Sequence, residues 1–283
     1  MLRNTFMHIP GIGQITEKRL WESGVLFWDD FFEKTVATQT PERKAFMKNR
    51  LEASQIHLQN NNLQYFAEQL PTNQHWRLFP HLTDSVAYLD IETTGLENWQ
   101  NDITTIALYD GKTISTYVNG QNLDDFKDSI MKYQAVITYN GKCFDIPFIE
   151  NYLRIDLNQI HIDLRYILSS LGFKGGLKRC ERQLGIDRND LDGIDGYFAI
   201  LLWDEYVRNN SQKALETLLA YNIQDVVNLE TLMIISYNLM LRDTPFHHSH
   251  QLPPPTQPDI PFEANRKVVE KIKTEMVCET WDV

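Results

Sequence analysis

Cysteine is scarce: the three in this 283-residue sequence, Cys143, Cys180 and Cys278, lie far apart and form no C-x-x-C pair. That spacing argues against a disulfide framework and a cysteine-rich zinc module, and free buried thiols are the expectation. No run approaches the roughly 18 consecutive apolar residues that a membrane span needs, so no membrane partner is expected. The opening MLRNTFMHIP has neither the apolar core nor the cleavage site of a secretory leader, and the expected location is cytoplasmic. Also missing are a Gly-x-x-x-x-Gly-Lys phosphate loop and a Ser/His/Asp arrangement. Positive charge is short as well. Lys and Arg number 27 against 38 Asp and Glu, a net charge of -11 that works against nonspecific binding to a polyanion.

The distribution of charge softens that objection, because residues 1–50 carry eight basic and six acidic residues while the remainder carries 19 and 32. Carboxylates that hold metal would account for part of the excess, and ordinary solvated surface for the rest. At 42% hydrophobic, the chain is long and apolar enough for one large domain and a smaller attachment.

The first forty residues read as short helices around a turn punctuated by Pro10, Gly11 and Gly13. Thr40-Pro41-Glu42 supplies a capping residue, a first-turn proline and an early acid, which predicts one long helix over residues 41–69, closed by Pro71. From Ser85 the character changes to β-branched and aromatic runs. SVAYLDIETT is followed by DITTIALYDG and KTISTYVNG, the last two joined at Asp110-Gly111 as a hairpin. A helix over 123–133, a strand over 135–139, a helix over 145–153, a strand near 160–164 and mainly helices to Arg242 complete a mixed α/β sheet flanked by helices. HHSHQLPPPTQPDIP reads as linker, with His247, His248 and His250 solvated rather than preorganised for metal, and the last twenty residues as a short amphipathic helix.

Chemistry concentrates at Asp90-Ile91-Glu92. In a strand, residues two apart share a face, so both carboxylates converge while Leu89 and Ile91 point the other way. Like charges this close repel unless a cation neutralises them, and a hard divalent ion suits a few carboxylate oxygens. An exposed edge-strand face is the plain alternative. Thr93, Thr94, Gly95 and Leu96 follow, and Gly95 would end the strand and let a nucleotide approach the backbone. Farther on, Tyr221 and Asp225 lie four apart on a helical stretch and share a face.

Three stretches in order, Asp90-Ile91-Glu92 with Thr94-Gly95, Asn140-Gly141-Lys142-Cys143-Phe144-Asp145, and Tyr221-Asn222-Ile223-Gln224-Asp225, resemble the motifs of the DEDD superfamily of 3′-to-5′ exonucleases. Ala220 stands where histidine-type members carry their histidine, so the tyrosine subclass is the nearer match. Gly176 to Ile186 and His161-Ile162-Asp163-Leu164 are similar to segments of the YprB-like, RNase H-like nucleases. The resemblance implies an RNase H-like (DnaQ-like exonuclease) sheet and two Mg²⁺ or Mn²⁺ ions held by Asp90, Glu92, Asp145 and Asp225. It implies that Asp90 bridges the ions, that Tyr221 orients the attacking water, and that the partner is DNA or RNA, with a single-stranded 3′ end as the expected form. Asn140 would contact substrate or hold a turn, and Phe144 would pack in the core or stack on a base. Lys178, Arg179 and Arg182 would touch phosphates or simply line an exposed face. Asp163 would assist the site, end its strand or cap the next helix.

The stretch Ile9 to Leu20 is similar to a helix-hairpin-helix element, in which Gly11 and Gly13 would expose backbone N–H groups to a phosphate, or serve packing alone. The expected organisation is therefore a hairpin-like region over 1–40, a helical connector over 41–80, an RNase H-like exonuclease domain over 81–243, and a proline-rich linker and tail over 244–283. A noncatalytic nucleic-acid scaffold and a structure-specific endonuclease are the alternatives.

Overall fold

Val86–Thr93, with β-branched Val86, Ile91 and Thr93 and aromatic Tyr88, forms the central strand, β1, of a five-stranded sheet ordered β3-β2-β1-β4-β5. The computed structural model describes residues 1–34, 40–95, 100–188 and 194–279, with the side chains of 277–279 left aside. The remaining strands are β2 (Ile103–Tyr109), β3 (Ile114–Val118), β4 (Ala135–Thr138) and β5 (Ile160–Asp163). β1 to β3 are antiparallel neighbours, whereas β4 and β5 run parallel to β1, which makes the sheet mixed. The hairpin turn falls at Asp110-Gly111, where the Asp110 carboxylate accepts from the backbone N–H groups of Lys112 (3.0 Å) and Thr113 (2.7 Å).

The described helices are α1 (Gln14–Glu22), α2 (Trp28–Glu33), α3 (Pro41–Gln59), α4 (Gln64–Gln69), α5 (Phe126–Ile130), α6 (Asp145–Leu153), α7 (Leu164–Ser170), α8 (Leu177–Gln183), α9 (Gly196–Asn209), α10 (Gln212–Leu241) and α11 (Arg266–Glu279). α3 begins as expected, with Thr40 capping the N–H of Arg43 and Pro41 at the first turn. The single helix expected over 41–69 is instead two. Asn61 adopts a left-handed φ of 52° after α3, and a helix cannot run through that conformation.

Two compact units result. The first comprises Met1–Thr83, Tyr166–Gly172 and Met233–Pro254, and the second Asp84–Arg165, Phe173–Leu232 and Pro255–Val283. In the first, Trp21 and Trp28 are buried and anchor their indole N–H groups on the carbonyls of Asn4 (2.9 Å) and Thr5 (2.7 Å). In the second, Leu89 and Ile91 leave one face of β1 to pack with Phe126, Ile130, Phe148 and Ile149 of α5 and α6. Burying each such side chain contributes about 1.5–3 kcal/mol, which locks the strand register and thereby commits the alternate residues to the other face. A further cluster joins Phe198 and Leu202 of α9, Leu218 and Tyr221 of α10, and Val268, Val269 and Ile272 of α11. No described helix is long and apolar enough to cross a membrane. Of the thiols expected to be buried, Cys180 is and Cys143 is exposed, while the side chain of Cys278 lies outside the described residues.

Candidate metal centre

Alternation along β1 turns Asp90 and Glu92 toward α10. Opposite them on β2 stand Ala107 and Thr105, and the register slips by one residue between Glu92 and Thr93. Such a bulge re-aims the end of a strand beside a site. From α10, Asp225 approaches so closely that one carboxylate oxygen from each of Asp90, Glu92 and Asp225 lies within 4.8 Å of the others. Asp145, the first residue of α6, is buried nearby with Oδ1 accepting from the Ile91 N–H at 3.2 Å, outside that three-carboxylate group. Asn222 ties the arrangement to the sheet: its amide donates to Asp90 Oδ2 at 2.7 Å and accepts from the Thr105 hydroxyl at 3.0 Å.

Withdrawal from water holds the Asp90 carboxyl well above the usual carboxylate range, and the charges of Asp225, Asp145 and Glu92 push it further. Glu92 is raised in the same way, by burial first and Asp225 next, with Lys178 and Arg188 opposing. Asp145 is pushed up to about 7 by burial, against the lowering effect of its own backbone N–H and that of Ile91. The nearby cations Lys178 and Arg188 only partly offset this crowding of carboxylates. Hard oxygen donors at this spacing suit a divalent ion, so the residues fit the group that the motifs imply.

Two cations already stand at the rim of the cluster. Lys178 on α8 hydrogen bonds through Nζ to the Tyr221 hydroxyl and the Ile194 carbonyl, and its ammonium sits 4.2 Å from the Tyr221 ring centroid. The phenol of Tyr221, buried below its partner, is raised far above the ordinary range by burial and then by the charge of Asp225. Arg188 forks between Asp225 Oδ1 and Glu181 Oε2, the latter at 2.7 Å, with both carboxylates and the guanidinium buried. Asn228 completes Glu181 by donating to Oε1 at 2.8 Å, and Gln224 donates to Asn228 at 2.8 Å. Of the three basic residues considered together in sequence, Lys178 turns into the site while Arg179 and Arg182 are exposed. Sequence reasoning missed Arg188, Glu181, Asn228 and the bridging amide of Asn222. The helical spacing of 221, 225 and 228 was the available signal, whereas nothing local pointed to Arg188.

Beyond the carboxylates, the Thr93 hydroxyl donates to the Gly95 carbonyl at 2.5 Å, and Thr94 Oγ1 accepts from the Asp102 N–H at 3.0 Å. A Cβ on Gly95 would lie 2.7 Å from Asn101 Oδ1, so the close approach at this glycine is made by the Asn101 side chain. Leu96 lies outside the described residues. Asn140 adopts a left-handed φ of 66°. Its N–H donates to Asp163 Oδ1 at 2.8 Å, and the Lys142 N–H donates to Oδ2 at 3.1 Å, so Asp163 holds the turn before α6. Arg165 hydrogen bonds to the Asn140 side-chain oxygen. Phe144 packs against the sheet core, 5.6 Å from Phe148 between ring centroids. In the first unit, Gly11 has a φ of 81° and Gly13 caps α1. Arg43 of α3, which the sequence did not single out, donates to the Pro10 carbonyl at 2.8 Å beside that turn.

Against known proteins, a profile described as the RNase H superfamily matches residues 87–237. No curated protein sequence matches the chain. Among solved structures, the family B DNA polymerase from the hyperthermophilic archaeon Pyrobaculum calidifontis is 18% identical at a TM-score of 0.42, over 54% of this chain and 25% of that one. This chain therefore spans about a quarter of the polymerase's length. Brucella melitensis NrnC with bound Mg²⁺ is 20% identical at a TM-score of 0.39, over 58% of this chain and 78% of that one. The same protein bound to pGG is 17% identical at a TM-score of 0.41, with the same shares covered.

Proposed function

Because the chain belongs to the RNase H superfamily, we propose that it is a divalent-metal-dependent 3′-to-5′ exonuclease that hydrolyses phosphodiester bonds and releases nucleoside 5′-monophosphates. The observation that carries this reading is the meeting of Asp90, Glu92 and Asp225, from two of three ordered motifs, within 4.8 Å. Asp90, Glu92, Asp225 and Asp145 would hold two ions, Mg²⁺ or Mn²⁺, which when bound supply an activated water and stabilise the leaving oxygen. Asn222 fixes the rotamer of Asp90. Lys178 orients the hydroxyl of Tyr221, which in turn orients the attacking water toward the terminal phosphate. With Tyr221 one residue after Ala220, the tyrosine type of the DEDD superfamily and its YprB-like branch are the proposed assignment.

Substrate contacts fall to the strand end and the motif turn: Thr93, Thr94, Gly95 and Leu96 on one side, Asn140 and Phe144 on the other. DNA or RNA with a single-stranded 3′ end is the proposed partner, and the cytoplasm the proposed location. The domain plan is likewise proposed as a helix-hairpin-helix-like region over 1–40, a connector over 41–80, the exonuclease domain over 81–243 and a tail over 244–283. In the first of these, Gly11, Gly13 and the first turn of α1 would meet a phosphate.

The test is incubation of purified protein with matched 5′-labelled DNA and RNA strands in Mn²⁺. A ladder shortening one nucleotide at a time supports the proposal, discrete internal cuts would replace it with an endonuclease, and intact strands of both kinds would sink it.

A further inference from the structure

The ion pair between Arg188 and Asp225 is not required by any of the three motifs, yet it reaches a carboxylate oxygen of a residue assigned to the metal centre. A guanidinium keeps its positive charge under all ordinary conditions, so a divalent ion arriving at Asp225 meets a fixed cation there. Glu181 relieves that conflict. Fully buried, it takes the other arm of the Arg188 fork at 2.7 Å, and its second oxygen is saturated by Asn228 at 2.8 Å. Arg188 is thus shared between two buried carboxylates, and its geometry is fixed from α10, the helix that also carries Asp225.

From this geometry we infer that Arg188 is an internal counter-ion of the metal centre: it neutralises Asp225 when the cation is away and, held by Glu181, sets how tightly a divalent ion binds. It is a positioning residue, acting through Asp225 and touching no substrate. The inference rests on the reading of Asp90, Glu92 and Asp225 as a metal site.

Two substitutions should move metal affinity in opposite directions. Arg188→Gln removes a positive charge beside the site, so calorimetric titration with Mn²⁺ should show binding tighter by roughly tenfold. Thermal unfolding of the same variant in chelator should come at a lower temperature than wild type. Glu181→Gln leaves the Arg188 charge to Asp225 alone, and Mn²⁺ should bind roughly tenfold more weakly. A purely structural role would shift both variants the same way or neither, and either result overturns the inference while leaving the metal site standing. Absence of Mn²⁺ binding to wild type would remove both. Should a variant fail to fold, the arginine side-chain N–H signals of the wild-type protein give the answer, with Arg188→Lys identifying the resonance. It should shift with Mg²⁺ along the binding isotherm, and a resonance that stays put at saturation overturns the inference.

Discussion

Each unit buries an arginine against a glutamate, and the two arrangements differ in what surrounds the pair. In the first, Glu17 accepts from Arg77 at 2.7 Å, from the Thr5 hydroxyl at 2.6 Å and from the Phe6 N–H at 2.7 Å. One negative charge meets one positive charge there, and both carboxylate oxygens are satisfied. In the second, Arg188 and Lys178 confront Asp90, Glu92, Asp145, Asp225 and Glu181, a set with more negative than positive charge. In the first the carboxylate has a partner for each oxygen and one countercharge, whereas the second balances its charge only with added cations or added protons. Buried charge that balances itself serves structure, and buried charge left in deficit marks a place for chemistry.

The strongest way to break this contrast is Asp90→Asn. It removes one of the three carboxylates that meet within 4.8 Å without changing shape, so hydrolysis should fall by at least about a thousandfold while the circular-dichroism spectrum stays the same. Retained activity would end the assignment. Arg77→Met probes the other unit: stranding Glu17 in a buried setting should cost about 3–5 kcal/mol in urea unfolding, with the Mn²⁺ titration unchanged. Loss of Mn²⁺ binding in a folded Arg77→Met protein would erase the distinction between the two regions.

Protons and metal should compete in the second unit alone. The folded-state value of about 7 for Asp145 lies above the ~3.9 of an unfolded chain, and Asp90 and Glu92 are shifted the same way. Between those values the folded protein holds protons that the unfolded chain has released. In chelator, stability should therefore fall as pH rises from about 4 to about 7. Mn²⁺ favours the ionised carboxylates, so its effect on the unfolding temperature should be larger at pH 8 than at pH 5, by about 5 °C. An equal effect at both would show that these acids do not bind it. Tyr221→Phe should be milder than Asp90→Asn, slowing hydrolysis by about 10–100-fold with Mn²⁺ affinity retained.

What could be read in advance follows the range of the interactions. Alternation in β1, the Asp110-Gly111 turn, the start of α6 at Asp145 and the shared face of Tyr221 and Asp225 are local patterns, set within a few residues. The gathering of Asp90, Glu92 and Asp225 was legible only because the three motifs came in order. Arg188 was hidden, since its partners lie 7 and 37 residues away and an arginine in a polar loop carries no periodicity. The break after α3 turned on one left-handed asparagine within an otherwise helical pattern. Cys143 was misjudged because it sits on the exposed side of the Asn140 turn, where the backbone rather than the thiol makes the contacts.

Thr105→Val tests the finest part of the comparison. Thr105 is fully buried on β2 and is nearly isosteric with valine, so strand propensity and packing volume are conserved. Only the hydroxyl that donates to Asn222 Oδ1 at 3.0 Å is lost. That leaves a buried acceptor unpaired, at about 1 kcal/mol in unfolding free energy. Freed from the sheet, the Asn222 amide also holds Asp90 less firmly, so activity should drop a few-fold with little change in Mn²⁺ affinity. If the variant instead loses stability and keeps full activity, Asn222 braces α10 against the sheet and has no hand in setting the carboxylate.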